Sequence, residues 1–215
     1  MHPDWQNNLH VYSENFSSQE PLYLKDLVAF TWKKTTNPRM LSGHLQGRLL
    51  ALLVAMNQPK NILEIGSFTG YSTACLTENL HPQSKITAVE ADAEVLFKAK
   101  SFWANYPFMN KVNWMNLSGL EFLQNTNEKF DFVFIDADKR NYLSYFNLCF
   151  PKITSGGIMI FDNTLWSGKV TDSTLQEKDL DTKIMHEFNE LVAQEKNWKT
   201  LLLPIRDGLT IIRFD

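Results

Sequence analysis

The chain has 215 residues, 44% hydrophobic and 21% charged, and a formal charge of −3 from 21 Lys and Arg against 24 Asp and Glu. That balance excludes a disordered tail, argues against a dedicated DNA binder, and suits one domain with a real core and a possible appendage. Two cysteines, Cys75 and Cys149, are too few for a disulfide framework or a four-cysteine zinc site.

The first ten residues, MHPDWQNNLH, carry neither the basic nor the apolar region of a secretory signal. The longest apolar runs, LLALLVAM and FDFVFIDAD, fall well short of the ~20 residues of a membrane helix. A soluble, cytoplasmic protein is the expectation.

Residues 1–40 are polar and aromatic, with Ser18 and Glu20-Pro21 opening a helix through Trp32 and Asn37-Pro38 breaking it. Leu45, Leu49, Leu52, Leu53 and Met56 recur at helical spacing, predicting a second helix over 42–57 with Ser42 as its cap. After Pro59 the pattern changes to short apolar runs at 61–66, 85–90, 112–117, 130–136 and 157–162. Helix-like stretches at 71–79, 93–105, 119–125 and 141–150 separate them. Alternation of apolar strands with helices predicts a parallel sheet covered on both faces. Residues 164–178 read as a long polar loop, 179–196 as a helix, and WKTLLLP with GLTIIRF as a terminal β-hairpin.

Ligands of open α/β sheets bind at the carboxyl ends of the strands, so those ends are where chemistry is expected. The first ends in Glu64-Ile65-Gly66-Ser67-Phe68-Thr69-Gly70, a tight turn with or without a ligand. It is not the dinucleotide fingerprint, because Phe68 stands where that motif's middle glycine approaches a pyrophosphate. The second ends in Glu90, a position from which an acid takes ribose hydroxyls or simply ends the strand in solvent. The fourth ends in Asp136-Ala137-Asp138-Lys139 and the fifth in Asp162-Asn163-Thr164. Neighbouring strands would bring Asp136 beside Asp162 and Asn163, and crowded carboxylates require a cation or a shared proton. All-oxygen ligands point to a hard ion, Mg²⁺ first, with Ca²⁺ or Mn²⁺ as alternatives. Taken singly, each acid also reads as a helix cap, Asp138 above all. Lys139 opposes the dipole of the helix it precedes, which leaves a role at the site or simple solvation. The five histidines share no ligand spacing and read as surface or packing residues, His44 being the one near the cofactor side. Trp103 and Trp114 read as core, and Trp5 and Trp32 as arm residues for a dimer contact or the acceptor pocket.

Together, EIGSFTGYS, AVEAD, FIDADKRNY, FDNTLW and LPIRDGLTIIR resemble the cation-dependent, S-adenosylmethionine-using O-methyltransferases, the caffeoyl-CoA type and its bacterial relatives, with catechol O-methyltransferase more distant. The resemblance covers residues 37–215. It implies a Rossmann-like methyltransferase fold with a seven-stranded, mostly parallel sheet, helices on both faces and a C-terminal β-hairpin. It also implies a homodimer. With no repeats, low-complexity tract or linker in the sequence, one domain over 1–215 is the expectation, with 1–40 as a helical arm and 164–178 as an acceptor-side loop. By the same resemblance Asp136, Asp162 and Asn163 hold the cation, and Lys139, beside Asp136, is the general base. Ser42, Glu64, Gly66, Ser67, Ser72, Glu90, Gly119 and Asp136 surround S-adenosylmethionine, and Trp166 and Ser167 face the acceptor. Three segments depart from the pattern. Leu117-Ser118-Gly119 stands for the usual G-P-A, His44-Leu45-Gln46-Gly47 for P-E-Q-G, and Ser167 for the Asn of many plant members.

The expected activity is methyl transfer to a small acceptor with vicinal hydroxyls, catechol-like or hydroxycinnamoyl. The alternatives are a hydroxylated tRNA base as acceptor, an NAD-dependent dehydrogenase, or a non-catalytic cofactor-binding protein.

Overall fold

A computed structural model describes residues 5–194 and 197–215, with the side chains of residues 5–7 outside the description. His2, the side chain of Trp5 and the expected helix end at Lys196 therefore lie outside the described residues. Seven strands form one sheet: β1 (Asn61–Ile65), β2 (Lys85–Glu90), β3 (Val112–Asn116), β4 (Phe130–Ile135), β5 (Ile153–Asp162), β6 (Trp198–Leu203) and β7 (Leu209–Phe214). Their order is β3-β2-β1-β4-β5-β7-β6. The first five pair in parallel, and β7 runs antiparallel between β5 and β6, so the terminal hairpin forms one edge.

The helices are α1 (Trp5–Asn15), α2 (Leu22–Lys34), α3 (His44–Asn57), α4 (Tyr71–Thr77), α5 (Ala93–Trp103), α6 (Gly119–Asn125), α7 (Tyr142–Cys149), α8 (Ser173–Lys178) and α9 (Leu180–Gln194). Successive strand residues point to opposite faces, so continuous apolar runs feed two cores at once. Ile62, Ile86, Phe132, Phe134 and Ile160 pack with Leu27, Leu50, Val54, Ala74 and Trp103 from α2–α5. Leu63, Ile65, Val133, Ile135 and Phe161 pack with Leu123, Phe146, Met185 and Phe188 from α6, α7 and α9. Cys75 and Cys149 are buried and free, packing as small hydrophobes. Trp103 is core as expected, whereas Trp114 is only partly buried against it and Trp32 stays exposed. No helix among the described residues is long and apolar enough to cross a membrane.

Several local expectations are corrected. The arm contains an additional helix, α1, whose sequence WQNNLHVYSEN is mostly polar. Ser42 does not cap α3: Gly43 occupies the cap position at φ +79°, no side chain caps the helix, and the Ser42 carbonyl is taken by Arg206. Strand β5 begins at Ile153 rather than Gly157, because the register against β4 shifts between Phe130 and Phe132 and lets the extra residues join the strand. Residues 164–178 are not a plain loop. Trp166–Thr171 forms 3-10 turns broken by a kink at Ser167 and Gly168, both at positive φ, and Asp172 caps α8 by accepting from Thr174 N (2.9 Å) and Leu175 N (3.3 Å).

Candidate active site

The β1–α4 turn is set by backbone contact. Gly66 has φ +90°, and a Cβ built there would lie 2.0 Å from the Asp136 carbonyl oxygen. Only glycine lets β1 and β4 deliver their ends so close together. Gly119 is similarly constrained, since a Cβ would come within 2.4 Å of Ile65 and 2.8 Å of Tyr145. Glu64 lies beneath the turn, fully buried, with Thr73 Oγ1 donating to Oε2 and Oε1 left without a partner. Burial pushes its carboxyl up to about 7, opposed by the nearby Ser72 and Thr73 hydroxyls. Ser67 Oγ is also buried and unpartnered. At the end of β2, Glu90 Oε2 accepts from Phe68 N (2.8 Å) and Oε1 from Asp92 N (2.9 Å), which fixes the carboxylate.

Ionising Glu64 costs the folded state nothing well below the ordinary carboxylate range. The cost grows as pH rises toward the folded value near 7 and persists above it. Between pH 5 and 8 the ligand-free protein is therefore expected to lose on the order of 3 kcal/mol more stability than Glu64→Gln, as read by urea unfolding at the two pH values.

Across the sheet, Ile135 pairs with Phe161, so Asp136 and Asp162 leave neighbouring strands at the same level. Asp162 is 2% exposed. Its Oδ1 accepts from Asn163 N (2.7 Å) and its Oδ2 from Gln46 Nε2 (2.6 Å). Burial, then the neighbouring Asp136, push the Asp162 carboxyl up to about 7. Asn163 has φ +58°, a left-handed conformation that asparagine tolerates better than most residues and that marks functional turns. Lys139 Nζ lies 2.8 Å from Asp136 Oδ1 and 2.8 Å from the Tyr142 hydroxyl. Burial raises the Tyr142 phenol well above its ordinary range, so it keeps its proton and donates it to the Asp162 carbonyl at 2.7 Å. One chain of bonds thus runs from Asp136 through Lys139 and Tyr142 to the backbone of Asp162. Tyr142→Phe leaves that carbonyl unpaired and Lys139 short of an acceptor. It should lower stability by about 1–3 kcal/mol and turnover roughly tenfold, measured by urea unfolding and steady-state assay.

A cavity of about 660 Å³ joins these groups. Gly66, Glu90, Gly119, Asp136, Lys139, Asp162, Asn163 and Trp166 line it, together with Arg39, Met40, Tyr145, Arg206 and Asp207. A small adjoining recess is lined by Ser42, Ser67 and Ser72 and shares Gly66, Glu90 and Asp136 with it. Glu64 sits under this floor, and Ser167 lies outside both cavities, its N–H donating to Asp207. Asp138 makes no side-chain cap and instead accepts from Tyr145 and Asn141, which corrects the capping expectation. His44 lies outside the cavity, its Nε2 donating to the Ser18 carbonyl (2.7 Å). Sequence reasoning missed Gln46, Tyr142 and Arg206. Tyr142 lay inside the quoted FIDADKRNY, but its partner is 20 residues away, and Arg206 reaches the Leu41 and Ser42 carbonyls across 165 and 164 residues.

Among the described residues no group of three or more His, Cys, Asp or Glu stands together as a metal cluster. The convergent set is two carboxylates and an amide. Its chemistry fits a hard divalent ion, since all donors are oxygen and two charges share a buried rim.

A family model described as O-methyltransferase matches residues 14–214. Tricin synthase 2 of Oryza sativa subsp. japonica is 31% identical over 218 residues, covering 96% of this chain and 74% of the relative. Caffeoyl-CoA O-methyltransferase 1 of Eucalyptus globulus is 30% identical over 217 residues, covering 95% and 86%. The crystal structure of the O-methyltransferase from Bacillus cereus in complex with SAH (S-adenosylhomocysteine) superposes with a TM-score of 0.85 at 26% identity, covering 97% of each chain. With its 3-2-1-4-5-7-6 sheet and the acids at its strand ends, the chain belongs to the O-methyltransferase family, enzymes that transfer a methyl group to oxygen.

Proposed function

We propose that this enzyme uses S-adenosylmethionine and a divalent cation, Mg²⁺ first, to methylate one hydroxyl of a catechol-like or hydroxycinnamoyl-type small molecule. The observation that carries this reading is the convergence of Asp136, Asp162, Asn163 and Lys139 on the wall of the cavity that also contains Gly66 and Glu90. The family assignment sets the dehydrogenase reading aside.

The S-adenosylmethionine side fits by its donors. Glu90 is held by two backbone N–H groups and keeps free lone pairs for ribose hydroxyls. Ser42, Ser67 and Ser72 line the recess and supply polar atoms for the methionine end, with the Glu64 carboxyl beneath them. Gly119 keeps the adenine side small. Asp136, Asp162 and Asn163 would hold the cation, and a cation bound there acts as a Lewis acid toward an acceptor oxygen.

The chain's own residues do the rest. Lys139 Nζ, fixed by Asp136 and Tyr142, faces the cavity and, once it has given up its own proton to solvent, takes the proton of the acceptor hydroxyl, whose ordinary pKa near ~10 keeps it protonated at neutral pH. Trp166 offers a flat wall to an aromatic acceptor, and Ser167 follows it outside the cavity. Holding the acceptor oxygen in line with the methyl group and sulfur is an orientation effect worth up to ~7–11 kcal/mol in favourable cases. A methyl-transfer screen with Mg²⁺ over catechols, hydroxycinnamoyl thioesters and hydroxylated tRNA tests the acceptor class. Turnover of the tRNA alone would overturn it.

Exposed Leu9 and Phe16 on or next to α1, and Leu52 and Met56 on α3, support a homodimer contact on the arm side. Sedimentation of a monomer at micromolar concentration would contradict it.

A further inference from the structure

We propose that Gln46 is a positioning residue for cation binding, its side-chain amide clamping the Asp162 carboxylate from helix α3. The proposal rests on the cation reading given above. Gln46 sits in the first turn of α3, fully buried, and donates from Nε2 to Asp162 Oδ2 at 2.6 Å across 116 residues of sequence. The other carboxylate oxygen accepts from Asn163 N at 2.7 Å. Asp162 is thereby fixed at both oxygens by two different elements, and its plane toward the cavity is set by α3 as much as by β5.

The second observation is on Gln46 itself. Its Oε1 is buried and has no hydrogen-bond partner. An orphaned carbonyl is unfavourable, and an apolar side chain of the same length would fill the space without it. Packing alone therefore does not account for an amide here, whereas a donor aimed at Asp162 does. Groups that orient a ligand's carboxylate from behind control its affinity for the metal without touching it. Gln46 also shares α3 and the segment before it with Ser42 and Gly43, which Arg206 ties to the C-terminal turn. The wall beside the cofactor recess and the cation ligands are therefore one mechanical unit.

The test titrates Mn²⁺ into the metal-stripped full chain, without S-adenosylmethionine or acceptor, and reads free Mn²⁺ by electron paramagnetic resonance. Wild type is compared with Gln46→Met, which matches the length, and with Gln46→Leu should the first fold poorly. The expected result is Mn²⁺ binding weakened about 10–100-fold in a variant whose metal-free melting curve stays close to wild type. Equal affinity in wild type and variant overturns the role of Gln46 while leaving the cation reading intact. Weakened binding that comes only with loss of the fold also counts against it. Failure of wild type itself to bind Mn²⁺ overturns the cation reading, and this inference with it.

Discussion

Asp162→Asn is expected to lower methyl transfer by about 10²–10³-fold while leaving the fold intact, the loss expected when several kcal/mol of charge stabilisation disappears. The substitution is nearly isosteric. The retained side-chain oxygen can still accept from Asn163 N. The new amide N–H can meet Gln46 Oε1, which has no partner in the wild type, once the Gln46 amide turns over. Burial and Asp136 hold the wild-type carboxyl up to about 7, so the burden of ionising it grows from the ordinary carboxylate range upward and is complete above pH 7. At pH 8 the metal-free variant should therefore melt at or above the wild-type temperature, by differential scanning calorimetry. A large fall in activity together with unchanged or improved stability separates a functional acid from a structural one. A variant with wild-type turnover would remove Asp162 from the site.

The second large effect is on folding. Gly66→Ala should destabilise the protein by about 4 kcal/mol or more, or leave it insoluble. Two penalties add there: a left-handed φ of +90° and a Cβ 2.0 Å from the Asp136 carbonyl oxygen. Neither strand can yield easily, because Asp136 N donates to Ile65 O at 2.9 Å and Gly66 N to Val89 O at 2.9 Å. Gly168→Ala is the control. It has φ +78° but nothing within 4 Å of the built Cβ, so only the conformational penalty remains, about 1 kcal/mol. Urea unfolding of the two variants side by side measures the share that belongs to close backbone approach.

Strands β1, β2, β4 and β5 were legible because their apolar runs are buried on both faces and stop at an acid or a glycine, whereas the edge strand β3 is half-exposed and ends at Asn116. That rule also placed Asp136, Asp162 and Asn163 together before any contact was known, since neighbouring parallel strands end at one rim. Illegible features depend on distant partners or on local chemistry without periodicity. Helix α1 is mostly polar, and its apolar Leu9, Val11 and Tyr12 stay exposed rather than marking a buried face. The capping power of Asp172 was hidden in a polar stretch that read as loop. Ser42 is a good capping residue by type, yet Gly43 turns the chain before it can act. The His44-Leu45-Gln46-Gly47 segment was legible as a departure in sequence, but that Gln46 reaches Asp162 is a property of the folded sheet and of α3 laid against it.

The most direct measurement is methyl transfer from S-adenosylmethionine to a catechol by chelator-treated, metal-stripped enzyme, assayed before and after Mg²⁺ is restored. The arrangement of Asp136, Asp162, Asn163 and Lys139 predicts turnover only in the presence of the cation, returning in proportion to the Mg²⁺ bound. Full turnover by the stripped enzyme, with no gain on adding Mg²⁺, would contradict it.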